Sequence, residues 1–264
     1  MKTKSEKLTE HYFRELQKVW LPWKAHTKSD DLLVPLCTPL RQRADVMVIG
    51  AGHSRFDSED RSSPLTDVVA ERFSKNPPDE NTFVVHGHDF ASAIREMMSD
   101  ITGLIFDRNQ SRTRKVLGQW MGTNRCAVQF KTRPEKTILE LLDIDEKFAK
   151  CLEKSDEVIR EMVVETSPKF VLLMGRVAIS IFHDEFESAS YFPDGGSINK
   201  DRGKKLKAEI QGCLIKDLGA KAFASSQLIP MVNFSRQTRY RASKENPARL
   251  IQNGVPAALD WPTF

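Results

Sequence analysis

The residues best suited to chemistry follow an apolar run near the end of the chain. Leu228 to Val232 are apolar, and the polar residues Asn233 and Ser235 come directly after them. A group of cations then follows: Arg236, Arg239, Arg241 and Lys244. Amide and hydroxyl groups at the end of a buried strand can hydrogen-bond a ligand, and clustered cations can bind a polyanion such as nucleic acid. The alternative is a turn in which Asn233 and Ser235 bond their own backbone.

A second group of candidate residues follows the apolar run Val46–Ile49. Its members are Gly50, Ala51, Gly52, His53 and, four positions later, Asp57. An imidazole and a carboxylate can position water or exchange a proton, as a hydrolytic reaction requires. An ordinary loop histidine would fit the same pattern at His53.

Two further residues are candidates for ligand contacts. Asn124 opens a stretch in which Cys126, Val128 and Phe130 recur at every second position, as in a half-buried strand. Its amide suits either recognition of a ligand or hydrogen bonding to backbone at the start of the strand. Phe90 lies on the apolar side of a helical stretch, where it suits either the core or stacking on a planar ligand.

The composition limits the class of protein. The chain has 264 residues and a formal net charge of +4, which permits a polyanionic partner. It contains no run of about 18 apolar residues and no apolar signal core at its start, so we expect no membrane-spanning helix and a cytoplasmic location. The four cysteines form no C-x-x-C pair, and we expect buried free thiols, no metal and no cofactor. We also expect a monomer.

The hydrophobic pattern predicts alternating strands and helices. Strands are expected at residues 45–50, 82–85, 124–131, 169–174, 221–225 and 228–232. Helices are expected over the first 20 residues, ended by Pro22, and at 88–101, 135–143, 146–166, 176–182, 204–218 and 246–253. Because several strands are apolar throughout, we predict an α/β fold with a mostly parallel central sheet and helices on both faces.

The predicted fold also places the ligand site. We expect one domain over residues 1–264, with an N-terminal helical segment at about 1–40 and a loop insertion at about 184–203. Ligands of such folds bind beyond the carboxyl ends of the strands. The expected site is therefore built from the residues that follow the strands: 50–57, 123–133, 175–176 and 233–241.

The order of these motifs resembles that of the uracil-DNA glycosylase superfamily, over about residues 45–245. "VMVIGAGH" occupies the place of the first motif, "GTNRCAVQFK" that of the middle strand, and "KFVLLMG" that of the strand after the long helix. "VNFSRQTR" is similar to the second catalytic motif, most closely to that of the mismatch-specific branch. The resemblance implies a three-layer sandwich that flips a base out of DNA.

The resemblance also implies roles for individual residues. Asn124 would read the flipped base and Phe90 would stack on it. Gly50, Ala51, Gly52 and Ser235 would line the base pocket. The catalytic residues would be His53, Asp57 and Asn233. The cations after the second motif would contact DNA at Arg236, Arg239, Arg241 and Lys244.

Two of the motifs depart from the pattern of the family. The family usually has Asp, Glu or Asn one or two positions after the first-motif glycine, where this chain has Ala51 and Gly52. His53, Asp57 or Glu59 would have to replace that group, and we favour His53 or Asp57. Phe234 stands where the second motif has proline.

The expected activity is that of a DNA glycosylase that hydrolyses the N-glycosidic bond of a modified pyrimidine and leaves an abasic site. The substrate would be uracil or a bulkier modified cytosine of the kind found in phage DNA, which would make the protein an anti-phage enzyme. Two alternatives remain open: a non-catalytic DNA- or nucleotide-binding module on the same fold, and a hydrolase of free nucleosides or nucleotides.

Overall fold

The computed structural model describes residues 2–28, 31–54, 71–85, 89–102, 104–130, 134–186 and 221–231. The predictions made for Asp57, Asn233 and Ser235 lie outside the described residues, as do the predicted helices at 204–218 and 246–253. The same holds for the predicted DNA contacts Arg236, Arg239, Arg241 and Lys244. Most of the predicted insertion at 184–203 is also outside them.

The described residues form helices and strands in alternation. The helices are α1 (Lys4–Thr27), α2 (Thr82–Val85), α3 (Asp89–Thr102), α4 (Ser111–Leu117), α5 (Pro134–Ile144), α6 (Glu146–Thr166) and α7 (Arg176–Ile179). The strands are β1 (Val46–Ser54), β2 (Met121–Phe130), β3 (Phe170–Met174), β4 (Lys221–Phe223) and β5 (Ser226–Met231). A 3₁₀ turn, Ser180–Phe182, follows α7, and residues 71–75 are also helical.

The five strands form one sheet in the order β2-β1-β3-β5-β4. β1 pairs in parallel with both β2 and β3, and β3 pairs in parallel with β5. Only β4 runs antiparallel, as the first arm of a hairpin with β5. The predicted α/β fold with a mostly parallel sheet is therefore confirmed.

Each face of the sheet is covered by helices. Alternate residues of β1, Met47 and Ile49, pack on one face with buried residues of α1, α6 and α7. The intervening residues, Val46 and Val48, pack on the other face with buried residues of α2, α3 and α4. The alternation follows from the two-residue period of a strand. The result is the three-layer arrangement that the apolar strands predict.

The outer edge of β2 is covered by a segment of the chain between α1 and β1, residues 32–37, which we call the edge segment. It runs antiparallel to β2, with hydrogen bonds from Val34 N to Ala127 O at 2.7 Å and from Cys37 N to Gly122 O at 3.0 Å. All ten residues of β2 are buried. The expectation of a half-buried strand is therefore wrong, because neither the edge nor the faces of β2 meet solvent.

Two predicted helix boundaries are also wrong. The helix α1 does not end at Pro22 but continues to Thr27, because Trp20 and Trp23 on either side of the proline are buried against Phe148 of α6. The helical segment predicted for residues 1–40 therefore ends at Thr27, and the edge segment that follows is extended.

Residues Thr82–Val85 form the short helix α2 instead of the predicted strand. Asn81 acts as its N-terminal cap, since Asn81 Oδ1 accepts a hydrogen bond from Phe83 N at 2.9 Å. The amide nitrogen of Asn81 donates to Leu117 O and Trp120 O, at 2.9 and 2.8 Å. These bonds to α4 and to the residue before β2 fix the start of the helix.

None of the helices in the described part of the chain combines the length and the apolar character needed to cross a membrane.

Candidate functional site

The parallel strands end at one level, and the candidate site lies there. Ile49 of β1 pairs with Leu173 of β3, and β3 ends one residue later at Met174. Met174 in turn pairs with Met231, the last residue of β5. Beyond this level, β1 and β2 continue as a two-stranded extension to Ser54 and Phe130. Gly50 is thus the first residue of β1 beyond the part that pairs with β3.

The order of the strands makes this level a suitable place for a ligand. The chain passes from β1 to β2 on one side and from β3 towards β5 on the other, so the topology reverses between β1 and β3. Open α/β sheets bind ligands in the crevice at such a point, outside the carboxyl ends of the strands. At the end of β3, Gly175 has a φ angle of 81°, which favours glycine, and α7 begins at the next residue.

The predicted end of the first strand is wrong. β1 does not break at Gly50 but runs on through Gly50, Ala51 and Gly52, and its register with β2 shifts between Gly52 and His53. Gly50 pairs with Asn124, and a Cβ atom on Gly50 would overlap the side-chain oxygen of Asn124. A side chain at position 50 would therefore displace the amide on the neighbouring strand.

A single cysteine side chain contacts both Asn124 and His53. Asn124 is 8% exposed, and its Nδ2 donates to Cys37 Sγ at 3.3 Å. The Nε2 atom of His53 lies 3.4 Å from the same sulfur. We call these three side chains the thiol cluster. Cys37 belongs to the edge segment, so its position depends on the pairing of that segment with β2.

The electrostatics of the thiol cluster favour uncharged groups. His53 as a whole is partly exposed, and desolvation of its ring by the surrounding protein lowers its pKa to about 4. Burial also raises the pKa of the Cys37 thiol to about 12, and the hydrogen bond from Asn124 opposes that rise. A reactive thiolate–imidazolium pair needs the opposite order of pKa values. The arrangement therefore suits hydrogen bonding by neutral groups and not attack by a thiolate.

The two other first-motif residues have different surroundings. Ala51 is 5% exposed and packs in an apolar cluster with Trp20, Cys126 and Phe148. Gly52 is partly exposed and faces α5, where Ile138 and Pro134 would lie 3.4 Å from an added Cβ.

Arg125, next to Asn124, ties this part of β2 to two helices. Its Nε donates to Asp156 Oδ1 at 2.7 Å and its Nη2 to Asp156 Oδ2 at 2.5 Å. Its Nη1 donates to Val177 O at 3.0 Å and to Ser180 Oγ at 2.5 Å. The backbone oxygen of Arg125 accepts from Ser155 Oγ at 2.6 Å. These bonds hold Asn124 in place from the opposite face of the sheet.

Gln129 is a further polar residue that sequence reasoning missed. It is 4% exposed and is the pairing partner of His53 across β1 and β2. Its Oε1 atom has no hydrogen-bond partner among the described residues. The alternation of Cys126, Val128 and Phe130 predicts that Gln129 faces solvent, so the sequence gives no sign that it is buried.

The structure brings together Gly50, His53 and Asn124 of the predicted site. It adds Cys37, for which the sequence indicates only a buried free thiol, and Cys37, Cys126 and Cys151 are indeed buried and free. Phe90 lies in α3. Within the described ranges, no three His, Cys, Asp or Glu side chains come together as metal ligands would.

Comparison with models of protein families and with curated protein sequences finds no match to this chain.

Proposed function

We propose that this protein is a DNA glycosylase that flips a modified pyrimidine out of DNA and hydrolyses its N-glycosidic bond. The observation that carries the proposal is the contact between Gly50 and Asn124 at the level where β3 and β5 end. It puts a buried amide on β2, the strand next to β1, beside the topological switch point between β1 and β3 where a ligand is expected.

Asn124 keeps the hydrogen-bonding capacity that base recognition needs. A side-chain amide has two N–H donors and one acceptor oxygen. One N–H of Asn124 is used by Cys37, and no other residue that the structure describes bonds the second N–H or Oδ1, so both are left for a base edge. A donor next to an acceptor matches the adjacent groups on the Watson–Crick edge of a pyrimidine.

The neutral state of His53 suits the chemistry of the leaving group. Cleavage of the glycosidic bond builds negative charge on the base and positive charge on the sugar. Donors fixed in a water-excluded site stabilise such a base anion strongly. A neutral imidazole can supply a donor, whereas a pKa of about 4 makes His53 a weak base at neutral pH. In the proposal, Asp57 positions the water and Asn233 assists it.

The segment after β5 supplies the contact with DNA in this proposal. Asn233 and Ser235 follow Met231 by two and four residues in the sequence, and the four cations come next. Arginine and lysine bind phosphates and enter the minor groove, and these contacts offset the few kcal/mol that flipping a base costs.

The test is incubation of the full chain with duplex and single-stranded oligonucleotides that carry one uracil or one modified cytosine, and with phage genomic DNAs. Abasic sites are detected by strand cleavage in alkali. We expect release of one class of base, and we expect Asn124→Ala and His53→Ala each to lower turnover about 100-fold while DNA binding persists. Cys151→Ala, a change at a buried thiol outside the site, is the control.

A second candidate is a non-catalytic DNA- or nucleotide-binding module. The observation that favours it is that Ala51 and Gly52 follow the first-motif glycine, and that His53 is held neutral by burial. This alternative predicts salt-dependent DNA binding without abasic sites on any substrate. Absence of both binding and base release would exclude the two candidates together.

A further inference from the structure

The sulfur of Cys37 is the shared neighbour of the two polar side chains of the candidate site. It lies 3.3 Å from Asn124 Nδ2 and 3.4 Å from His53 Nε2. Both distances are within hydrogen-bond range for sulfur, which is larger than oxygen. A thiol carries one weak donor and one weak acceptor, so it can link one donor to one acceptor.

The backbone around Cys37 is fixed by several bonds to β2. Cys37 N donates to Gly122 O at 3.0 Å, and Gly122 N donates to Thr38 Oγ1 at 2.8 Å. Thr123 Oγ1 donates to Pro35 O at 3.1 Å. The sulfur therefore approaches Asn124 and His53 from a rigid support and not from a loose loop.

The direction of the bonds follows from the donors and acceptors present. The NH₂ group of Asn124 can only donate, so the sulfur accepts from it. The hydrogen of the thiol is then free to donate to His53 Nε2. A hydrogen on Nε2 would instead leave the sulfur with two incoming donors and its own hydrogen without an acceptor in the cluster. The neutral imidazole must then carry its hydrogen on Nδ1.

We infer that Cys37 is a positioning residue that fixes the amide orientation of Asn124 and the Nδ1–H tautomer of His53 through one sulfur atom. This arrangement leaves Asn124 Oδ1 as an acceptor beside Gly50 and gives His53 an Nδ1–H donor that no residue in the described ranges uses. A role of Cys37 in catalysis rests on the proposed function. The tautomer of His53 and the orientation of Asn124 do not depend on it.

The orientation of the amide bears on which base is accepted. Uracil presents an acceptor at position 4 and a donor at position 3 of the ring, and cytosine presents the two in exchanged order. Rotation of the Asn124 amide by half a turn would exchange its oxygen and nitrogen. Rotation would also turn Oδ1 towards Cys37 Sγ, so the thiol would have to donate to Oδ1 and could no longer donate to His53 Nε2. Rotation without loss of a hydrogen bond therefore requires His53 to change its tautomer as well, and Cys37 is thereby a specificity-determining residue that never needs to touch the base.

The test is the tautomer of His53 in the full chain without DNA, read from two-bond ¹H–¹⁵N correlation spectra. The signals of His53 are assigned by their loss in His53→Gln. We expect the wild type to have a protonated Nδ1 and an unprotonated Nε2. We expect Cys37→Ser to keep this tautomer, since a hydroxyl also accepts and donates. Cys37→Ala should shift His53 towards the Nε2–H form. A wild-type Nε2–H tautomer, or an unchanged tautomer in Cys37→Ala, would overturn the inference.

Cys151→Ala is the matched control, because Cys151 is also buried at 9% exposure but contacts neither Asn124 nor His53 through a hydrogen bond among those described. It should keep the wild-type tautomer. If Cys37→Ala does not fold, the spectra of the wild type and of Cys37→Ser decide the question.

Base release is measured on the same variants as a separate readout. We expect a loss of roughly 10- to 100-fold in kcat for Cys37→Ala, with most of the activity retained in Cys37→Ser. The expected tautomer together with no base release in the wild type would reject the proposed function and keep the inference. Base release by a wild-type protein whose His53 is in the Nε2–H form would keep the proposed function and reject the inference.

Discussion

Gly50 and Asn124 face each other across β1 and β2 so closely that a Cβ atom added at position 50 would overlap Asn124 Oδ1. At Gly52, two positions along the same strand, an added Cβ would instead meet its nearest neighbours at 3.4 Å, an ordinary contact. The two glycines of "GAGH" therefore have different reasons to be glycine. The first makes room for an amide, and the second has space for a methyl group.

We predict that Gly50→Ala lowers the free energy of unfolding by about 1–3 kcal/mol, the usual cost of an overpacked site. Gly52→Ala should cost clearly less. Denaturant unfolding of the two variants measures the difference. Asn124→Ala removes the overlapping oxygen. Gly50→Ala should therefore lower the free energy of unfolding less in the Asn124→Ala background than in the wild type. Equal costs at Gly50 and Gly52 would contradict the close approach.

We predict that removing one partner of the ion pair between Arg125 and Asp156 strongly lowers the free energy of unfolding. Their side chains are 9% and 17% exposed and share two hydrogen bonds. Burial raises the pKa of Asp156, and the guanidinium of Arg125 opposes the rise. Asp156→Asn keeps the shape but leaves the arginine charge buried, and it should cost about 3–5 kcal/mol of stability.

The double variant Arg125→Met/Asp156→Leu removes both charges of this ion pair. It should lose less stability than the sum of the two single changes, because no buried charge is left unpaired. Thermal and denaturant unfolding give the values. Simple additivity of the single changes would show that the two side chains do not act as a pair.

His53 predicts a loss of stability in acid. Its pKa falls from 6.5 to about 4 in the folded chain, so between these values the unfolded chain binds a proton that the folded chain does not. The free energy of unfolding should therefore fall as the pH decreases from about 6.5 to about 4, by at most about 3 kcal/mol. Below pH 4 this contribution should not fall further.

The histidine contribution is isolated by comparing His53→Gln with the wild type across this pH range. The difference in unfolding free energy between them should change with pH in the stated direction. His11→Gln, a change at an exposed histidine of α1, is measured beside it as the control. A difference between His53→Gln and the wild type that does not vary with pH would contradict burial of a neutral imidazole.

The cations after β5 predict the salt dependence of DNA binding. In the proposed function, Arg239 neutralises a backbone phosphate. Arg239→Ala should then lower the slope of log affinity against log salt by about 1 and weaken binding to different sequences alike. Arg14→Ala, at an exposed residue of α1 paired with Glu10, is the control and should leave the slope unchanged. Titrations at several salt concentrations measure both.

Local patterns predicted the helices well where one face of the helix is apolar. α3, α5 and α6 lie within two residues of the predicted bounds, because Ile94, Met97 and Met98, or Ile159, Met162 and Val163, recur at helical spacing and are buried. α2 was missed although Asn81 is a standard N-terminal cap, because the apolar residues Phe83–Val85 that follow favour a strand.

The candidate site was only partly predictable because it depends on contacts between distant segments. Gly50 looks like the end of a strand until Asn124, 74 residues later, is placed beside it. No local signal identifies Cys37 as the neighbour of His53 and Asn124. Its role depends on the pairing of the edge segment with β2, which is antiparallel and has no apolar periodicity of its own.

Detachment of the edge segment would affect both aggregation of the protein and the candidate site. A strand edge without a partner is a template for pairing with another chain, and residues 32–37 occupy that position on β2. If this segment detaches in a local opening, β2 is exposed for aggregation and Cys37 leaves Asn124 and His53 in the same event. Loss of the site and the first step of self-association would then share one free energy of opening, which amide hydrogen exchange at Val34 and Cys37 would report.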